Sequence, residues 1–567
     1  MDLDELRALD LVEVLDVELA RALSRVGGTE DPEIALAIAL TSRAVRRGHT
    51  CFPLRTAARE LWPHQTLPPG VLPEASAWAD RLRHSPLTQD GPLVLDGKDR
   101  LYLRRYRQLE RDVSTQLAQR AAGGERHDEG AWLRSTLDRL FPGSQSSPQR
   151  RAAANAIDHS VSLLCGGPGT GKTTTVASII AMIVERDLRD TGKPPRVMLL
   201  APTGKAAARL GQAVLAAKTR IDASEEVLDC IPTEASTVHR ALGMQREGMR
   251  FARSQDFPLE ADVIVLDEAS MIDLAMMRQL LDAAPRDATL LIVGDPDQLT
   301  SVEAGSVLRD LVDASDETWW TNRVTHLTKT WRYDETQPLG QLVQAIREGS
   351  AETVDSLLSV EDSDDLVWRP YDELPRELDR AAEFWAETSR TTDPSMHFDR
   401  RSRYVMLTPF RRGPIGTENL GSAIQERLRS NGAEPSVTPI LIEQNNQELR
   451  VFNGDFAMLV AGETPTAIVQ SDSQELREMA EARLPRYSNA FALSVHKSQG
   501  SEFDEVLVVL PEEDAPLLTR ELLYTAVSRA KKRVRIVGPK AVVLAALARR
   551  ARRDSGLVDA IGERMPS

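Results

Sequence analysis

The stretch GGPGTGKT, residues 166–173, decides how this chain is read. It fits the pattern G-x-x-x-x-G-K-[ST] at Gly166, Gly171, Lys172 and Thr173. The apolar run VSLLC (161–165) precedes it and the helical pattern TTTVASIIAMIVER (173–186) follows it. A strand, a glycine turn and a helix in that order make a phosphate cradle. Glycines allow positive φ and close approach, so backbone N–H groups wrap the phosphates. The helix N-terminus adds partial positive charge. The candidate cradle is Gly166, Gly167, Pro168, Gly169, Thr170, Gly171, Lys172, Thr173 and Thr174. Lys172 is placed for the β- and γ-phosphates and the Thr173 hydroxyl for Mg²⁺.

Outward from the cradle, short apolar runs alternate with helices: RVMLLAPT (196–203), DVIVLDE (262–268) and TLLIVGDPDQ (289–298). Near-continuous apolar runs between helices predict a buried parallel sheet. A second set follows: RYVMLTPF (403–410), AFALSVH (490–496), EVLVVLP (505–511) and RVRIVG (533–538). The fold class expected is therefore α/β with two such domains. Residues 433–487 read as a small β insertion in the second, with turns at Asn445-Asn446 and Asn453-Gly454. Residues 1–125 carry helical spacing, and the polar stretch at 121–130 reads as a linker. The expected domains are 1–125, 126–325 and 326–567.

Two strand ends add chemistry to the cradle. Asp267 and Glu268 would repel each other unless each has a task. Asp267 suits Mg²⁺, and Glu268 suits activation of a water. Asp295 and Gln298 end the next strand. Without the cradle, DPDQ would be an ordinary turn. At the C-terminal ends of parallel strands such residues converge on one crevice. Asp295 then serves the Mg²⁺ or water network, and Gln298 the γ-phosphate.

Bulk numbers limit the alternatives. A chain of 567 residues implies several domains. A net charge of -15 argues against coating nucleic acid by bulk charge, while leaving room for a local basic channel. Cys51, Cys165 and Cys230 are far apart and form no metal pattern, which reads as reduced thiols. The acidic start is no signal peptide, and no apolar run reaches the length of a membrane span. A cytoplasmic protein without a membrane partner is expected.

Further motifs carry a family resemblance. PTGKAAARL (202–210), ASTVHRALG (235–243), LDEASMIDLAMM (266–277), GDPDQLTSVEAGSVL (294–308), LTKTWRY (327–333), FNGD (452–455), SVHKSQGSEFDEV (494–506) and LLYTAVSRAKK (522–532) follow the cradle in order. This ordered set resembles superfamily 1B helicases of the RecD type. LDVELARAL and GHTCFPL ahead of it resemble the RecD subunit family of the RecBCD helicase–nuclease (exodeoxyribonuclease V). Stand-alone RecD-like helicases have a larger N-terminal extension than the stretch ahead of Gln149 would hold, which favours the complex subunit.

The resemblance implies two RecA-like motor domains that close on ATP, the second with an SH3-like insertion. It implies 5′→3′ movement on single-stranded DNA, in a heterotrimer with RecB-like and RecC-like subunits that acts on double-strand break ends in recombinational repair. Gln149 matches an adenine-reading glutamine. Trp331 and Arg332 match an aromatic–arginine pair near base and γ-phosphate. Arg529 matches an arginine finger crossing the cleft. The implied DNA contacts are Thr203, Lys205, Thr237, His239, His496, Lys497 and Ser498, whose hydroxyls and cations suit backbone phosphates. The stretch 242–253 reads as a hairpin turning at Glu247-Gly248, where similar helicases carry a strand-separating pin. No nuclease constellation is found. Lys531, Lys532 and Arg533 read as a solvated helix end. A non-motor ATP switch is the alternative that the cradle and acidic pair alone would also fit.

Overall fold

The computed structural model describes residues 3–61, 72–122, 130–143, 147–244, 251–316, 319–360, 363–391, 393–430, 436–446, 448–470 and 476–563. The first lobe is built on a six-stranded sheet. Its order is Ala235–Thr237, Val197–Ala201, Val263–Leu266, Thr289–Gly294, Val161–Gly166 and Val324–Leu327. Every neighbouring pair is parallel. The cradle strand therefore has a partner on both sides, and all six of its residues are buried. That explains its near-continuous apolar run, in which Ser162 is buried as well. The helix Lys172–Thr191 covers one face, between Pro148–Asp158 and Gly204–Lys218. It stops at Gly192, whose φ of 69° is a left-handed cap donating to the Leu188 carbonyl.

The second lobe repeats the principle with five parallel strands in the order Leu366–Arg369, Ala530–Val537, Phe503–Val509, Tyr404–Thr408 and Ala492–Ser494. Between its strands, an antiparallel sheet runs Leu476–Ala480, Thr466–Gln470, Phe456–Val460, Val437–Ile442 and Tyr487–Asn489. Gly454, with φ of 100°, turns the chain into Phe456–Val460. The other turn falls between Asn446 and Val451, which bridge each other, and the Asn446 side chain accepts from the Leu449 amide. Asn445-Asn446 flanks that turn rather than forming it.

Residues 1–125 are not purely helical. Phe52–Pro53, Leu93–Leu95 and Arg100–Leu103 form an antiparallel sheet. Its hairpin turns at 96–99, where Asp96 Oδ1 accepts the amides of Lys98 and Arg100. The long helix Arg104–Ala122 then lies against Leu274–Ala283 of the first lobe. The Arg120 guanidinium caps that helix by donating to the carbonyls of Leu281, Ala284 and Pro285.

The expected linker falls largely outside the described residues, as does the turn at Glu247-Gly248. The flanks of that stretch are described: Met244 and Phe251 form an antiparallel bridge. Lys531, Lys532 and Arg533 do not end a helix. They open the strand Ala530–Val537, where Lys532 pairs with Asp504 at 2.9 Å and Arg533 lies 4.0 Å from Glu505, both on the adjacent strand. Three consecutive cations on an exposed strand start look like a helix end when read by charge alone. Among the described residues, no helix is long and apolar enough to cross a membrane.

Candidate functional site

The cradle faces the second lobe. Gly169 and Gly171 have φ of 72° and 84°, values that only glycine adopts freely. A Cβ on Gly169 would collide with Arg332, and one on Gly167 would lie 2.7 Å from the Tyr524 hydroxyl. Trp331 donates its amide to the Gly169 carbonyl at 2.7 Å, which fixes the Trp331–Arg332 turn against the cradle. The Trp331 ring is 68% exposed beside Gly171, free to cover a flat ligand, with Lys329 Nζ 4.2 Å from its centroid. Lys172 Nζ donates to the carbonyls of Gly166 and Gly167 at 2.6 and 3.0 Å. Thr173 and Thr174 open the following helix, and the Thr170 hydroxyl closes the loop on the Gly167 carbonyl at 2.8 Å. Gln149 is half-buried in the first turn of Pro148–Asp158.

The acids lie beside this loop. Glu268 has φ of 50°, a left-handed conformation unusual for a side chain with a Cβ, and its amide donates to Asp267 Oδ1. Burial, with the Glu268 charge behind it, raises the Asp267 carboxyl above its ordinary range. Asp295 is 1% exposed and is raised mainly by burial. Gln298 Nε2 and the Tyr524 hydroxyl both donate to Asp295 Oδ2, at 2.9 and 3.1 Å.

Arg529 completes the arrangement from the second lobe. Its three nitrogens have three acceptors: Thr525 O, Ser501 O and, across the cleft, Gln298 Oε1 at 2.9 Å. Arg332 donates to Ser528 O and pairs with Glu502, and Arg209 of the first lobe pairs with the same carboxylate. Tyr524, Glu502 and Arg209 lie within motifs that were legible, yet nothing in spacing marks them. Their roles come from the approach of the lobes. Tyr524 sits three residues from Val527 on a buried helix, which reads only as core.

The other set of predicted residues gathers along the groove. Thr203 follows one strand, Thr237 ends its neighbour, and both cap the next helix, accepting from the Ala206 and Arg240 amides. Gly500, with φ of 69°, lets the 494–500 loop approach Ala206, where a Cβ would lie 3.5 Å away. Lys205 stands one residue before Ala206 on the first-lobe side of that approach, and His496 and Lys497 lie in the 494–500 loop on the other. His239 is exposed at the base of the 242–253 stretch, its ring 6.3 Å from Phe251. Burial lowers the half-buried His496 below its ordinary range. Ser498 differs from the rest: it is fully buried, and its hydroxyl donates to the Val495 carbonyl. It shapes the loop from inside. No group of His, Cys, Asp and Glu that would hold a metal occurs among the described residues.

The donor set fits a magnesium nucleotide. Cβ-free positions shape the loop, a lysine and a threonine hydroxyl open its helix, and a carboxylate disfavoured by burial and by its neighbour would be relieved by a cation. Thr173 and Asp267 would hold the ion, which when bound screens phosphate charge.

Two parallel-sheet lobes meeting over such a loop place the chain in the class of helicase-type P-loop ATPases. Residues 149–304 match the family described as AAA domain, and 489–537 the UvrD-like helicase C-terminal domain. Residues 8–102 match the RecBCD enzyme subunit RecD, N-terminal domain. The chain is 39% identical to the RecBCD enzyme subunit RecD of Mycobacterium tuberculosis, over 96% of this chain and 94% of that protein. For the Mycolicibacterium smegmatis protein of the same name the identity is 37%, over 97% of each. The ATP-dependent RecD2 DNA helicase of Deinococcus radiodurans matches at 29%, over 95% of this chain but 70% of its own length. The chain belongs to the RecD family of DNA helicases.

Proposed function

We propose that the chain is an ATP-driven motor that moves 5′→3′ on single-stranded DNA. It would work as the RecD-type subunit of a heterotrimer with RecB-like and RecC-like partners, at double-strand break ends in recombinational repair. The observation that carries the motor reading is the hydrogen bond from Arg529 to Gln298 across the cleft. A hydrolysis site divided between two lobes couples the state of the phosphates to the distance between them. A non-motor switch has no use for a division of this kind. Near-complete coverage of relatives named as RecBCD subunits supports the complex over a stand-alone helicase, since the RecD2 relative is matched over only part of its length.

In this reading Lys172 and the cradle amides bind the phosphates, while Trp331 and Gln149 hold the base. Glu268 takes a proton from the attacking water. Arg529 and Arg332 meet the charge that develops on the γ-phosphate, and Gln298 reports that charge to the Asp295–Tyr524 pair. The facing loops with Thr203, Lys205, Thr237, His239, His496 and Lys497 grip the DNA backbone in alternation, and Ser498 props the last of them.

The test compares wild type with Lys172→Gln, alone and in the purified complex. DNA-stimulated ATP hydrolysis and unwinding of 5′-tailed but not 3′-tailed duplexes by the chain itself are expected, both lost in the variant. Hydrolysis indifferent to single-stranded DNA would revive the switch. Preference for 3′ tails would reverse the direction. Failure to co-purify with RecB-like and RecC-like subunits would favour the stand-alone helicase.

A further inference from the structure

FNGD (452–455) and the antiparallel sheet it enters have no task in the nucleotide site. Two contacts tie them to the groove between the lobes. Lys497 Nζ donates to Asn453 Oδ1 at 2.8 Å. Phe456, which opens the strand Phe456–Val460, meets cations from both lobes. Lys205 Nζ of the first lobe stands 4.9 Å from its ring centroid, and the Arg401 guanidinium of helix Pro394–Arg403 stands 3.1 Å from it. The ring is 7% exposed, and both cations are half-buried. Among the described residues neither cation has an acidic partner.

Two cations converging on one half-buried spot are costly. Burial, and the charges of Arg401, Arg209 and Arg529, work against the Lys205 ammonium, and burial works against Arg401, so both fall below their ordinary ranges. The negative face of the Phe456 ring offsets part of this. An anion would offset the rest. Phosphate chemistry suits the pair, because a planar fork and a compact ammonium bracket phosphate oxygens without reading a base.

We propose that Lys205, Arg401 and Phe456 form one seat for a backbone phosphate of single-stranded DNA, with the β insertion as a wall of the track. This rests on the DNA reading above and extends it to Arg401, Phe456 and Asn453. Lys205 and Arg401 belong to different lobes, so cleft closure changes their spacing. The grip on that phosphate then follows the nucleotide state.

The test measures binding of the full chain to a fluorescent oligothymidylate by anisotropy across a salt series. Arg401→Gln is expected to weaken binding roughly tenfold. It should also lower the slope of log K against log salt by about 0.7, one phosphate's worth on a single strand. Arg401→Lys should keep the slope and lose part of the affinity, because charge is retained and the planar fork is not. Binding of a fluorescent ATP analogue checks that each variant is folded. Should Arg401→Gln fail that check, Phe456→Leu replaces it, since it keeps apolar bulk and removes the ring face. Weaker DNA binding in that folded variant supports the seat, and unchanged binding overturns it. Wild-type affinity and slope in a folded Arg401→Gln, while Lys497→Ala binds weakly, overturn the seat and leave the track standing. Unchanged binding in Arg401→Gln, Lys205→Ala and Lys497→Ala alike would remove the track itself.

Discussion

At the scale of single residues, the carboxylate of Asp267 sets a conflict between stability and function. Its carboxyl is raised in the folded chain by burial and by Glu268. A raised carboxyl favours folding at pH below its unfolded value, and that favour is lost as pH rises through the folded value. At neutral pH the ionised group therefore costs the nucleotide-free chain stability. Asp267→Asn is expected to stabilise it at pH 7 by about 1 kcal/mol while abolishing hydrolysis. Thermal melts of both chains should show the gain shrinking as pH is lowered, because the wild-type carboxyl then protonates as well. A gain that grows on acidification would place the strain elsewhere. Arg529 offers a second test. Its fork serves three acceptors at once, which a lysine ammonium on a flexible stem does not reproduce. Arg529→Lys is expected to slow DNA-stimulated hydrolysis by about 10³-fold and to leave single-strand affinity near wild type. Equal losses in both assays would take Arg529 out of the nucleotide site.

At the scale of elements, two glycines flanking one helix separate backbone strain from packing. Gly169 and Gly192 have φ of 72° and 69°. A Cβ on Gly192 meets nothing within 4 Å, whereas one on Gly169 collides with Arg332. Gly192→Ala is expected to cost about 1 kcal/mol of left-handed strain and nothing in nucleotide affinity. Gly169→Ala pays the same strain, moves Arg332 and should weaken binding of a fluorescent ATP analogue more than tenfold, on the order of 1.4 kcal/mol or more. Equal affinities in the two variants would show that Arg332 does not depend on the loop. The same contrast explains what was legible in the sequence. Central strands such as Val161–Gly166 bury both faces and read as apolar runs. Edge strands do not: Ala235–Thr237 is half-buried throughout and Val324–Leu327 alternates, so neither has that signature. In 1–125 helical spacing outweighed the short runs around Asp96-Gly97, a turn pair that does mark a hairpin. In the site, residues fixed by a local loop were readable from spacing, while Tyr524, Glu502 and Arg209 acquire roles only when two lobes meet.

At the scale of the whole molecule, the chain's last segment fastens its first to the hydrolysis site. Arg553 donates to the carbonyls of Ser301, Glu303 and Gly305, in the loop that follows Gln298. Gly305 donates to the Gly48 carbonyl, and Gly48, at φ of 89°, leaves room that a Cβ would close to 2.6 Å from Arg553. Asp554 continues the strap, accepting the Thr50 amide and donating to His49 Nδ1, and the Gly556 amide donates to Glu110. From the other side, Leu299 donates to Thr525 and accepts from Gln499, both of the second lobe. The loop is thus held at one end by N-terminal and C-terminal residues and at the other by the second lobe. The loop therefore links Gln298 to the N-terminal region through Gly305 and Gly48. Arg553→Ala removes all three carbonyl bonds at once. Amides of residues 299–306 are expected to exchange about tenfold faster or more, the equivalent of one or two net hydrogen bonds. DNA-stimulated hydrolysis should fall with them, while binding of the ATP analogue to the cradle persists. Unchanged exchange in that loop would mean that it stands without the strap, and coupling between the N-terminal region and hydrolysis would have to run through Arg120 and the helix Leu274–Ala283 instead.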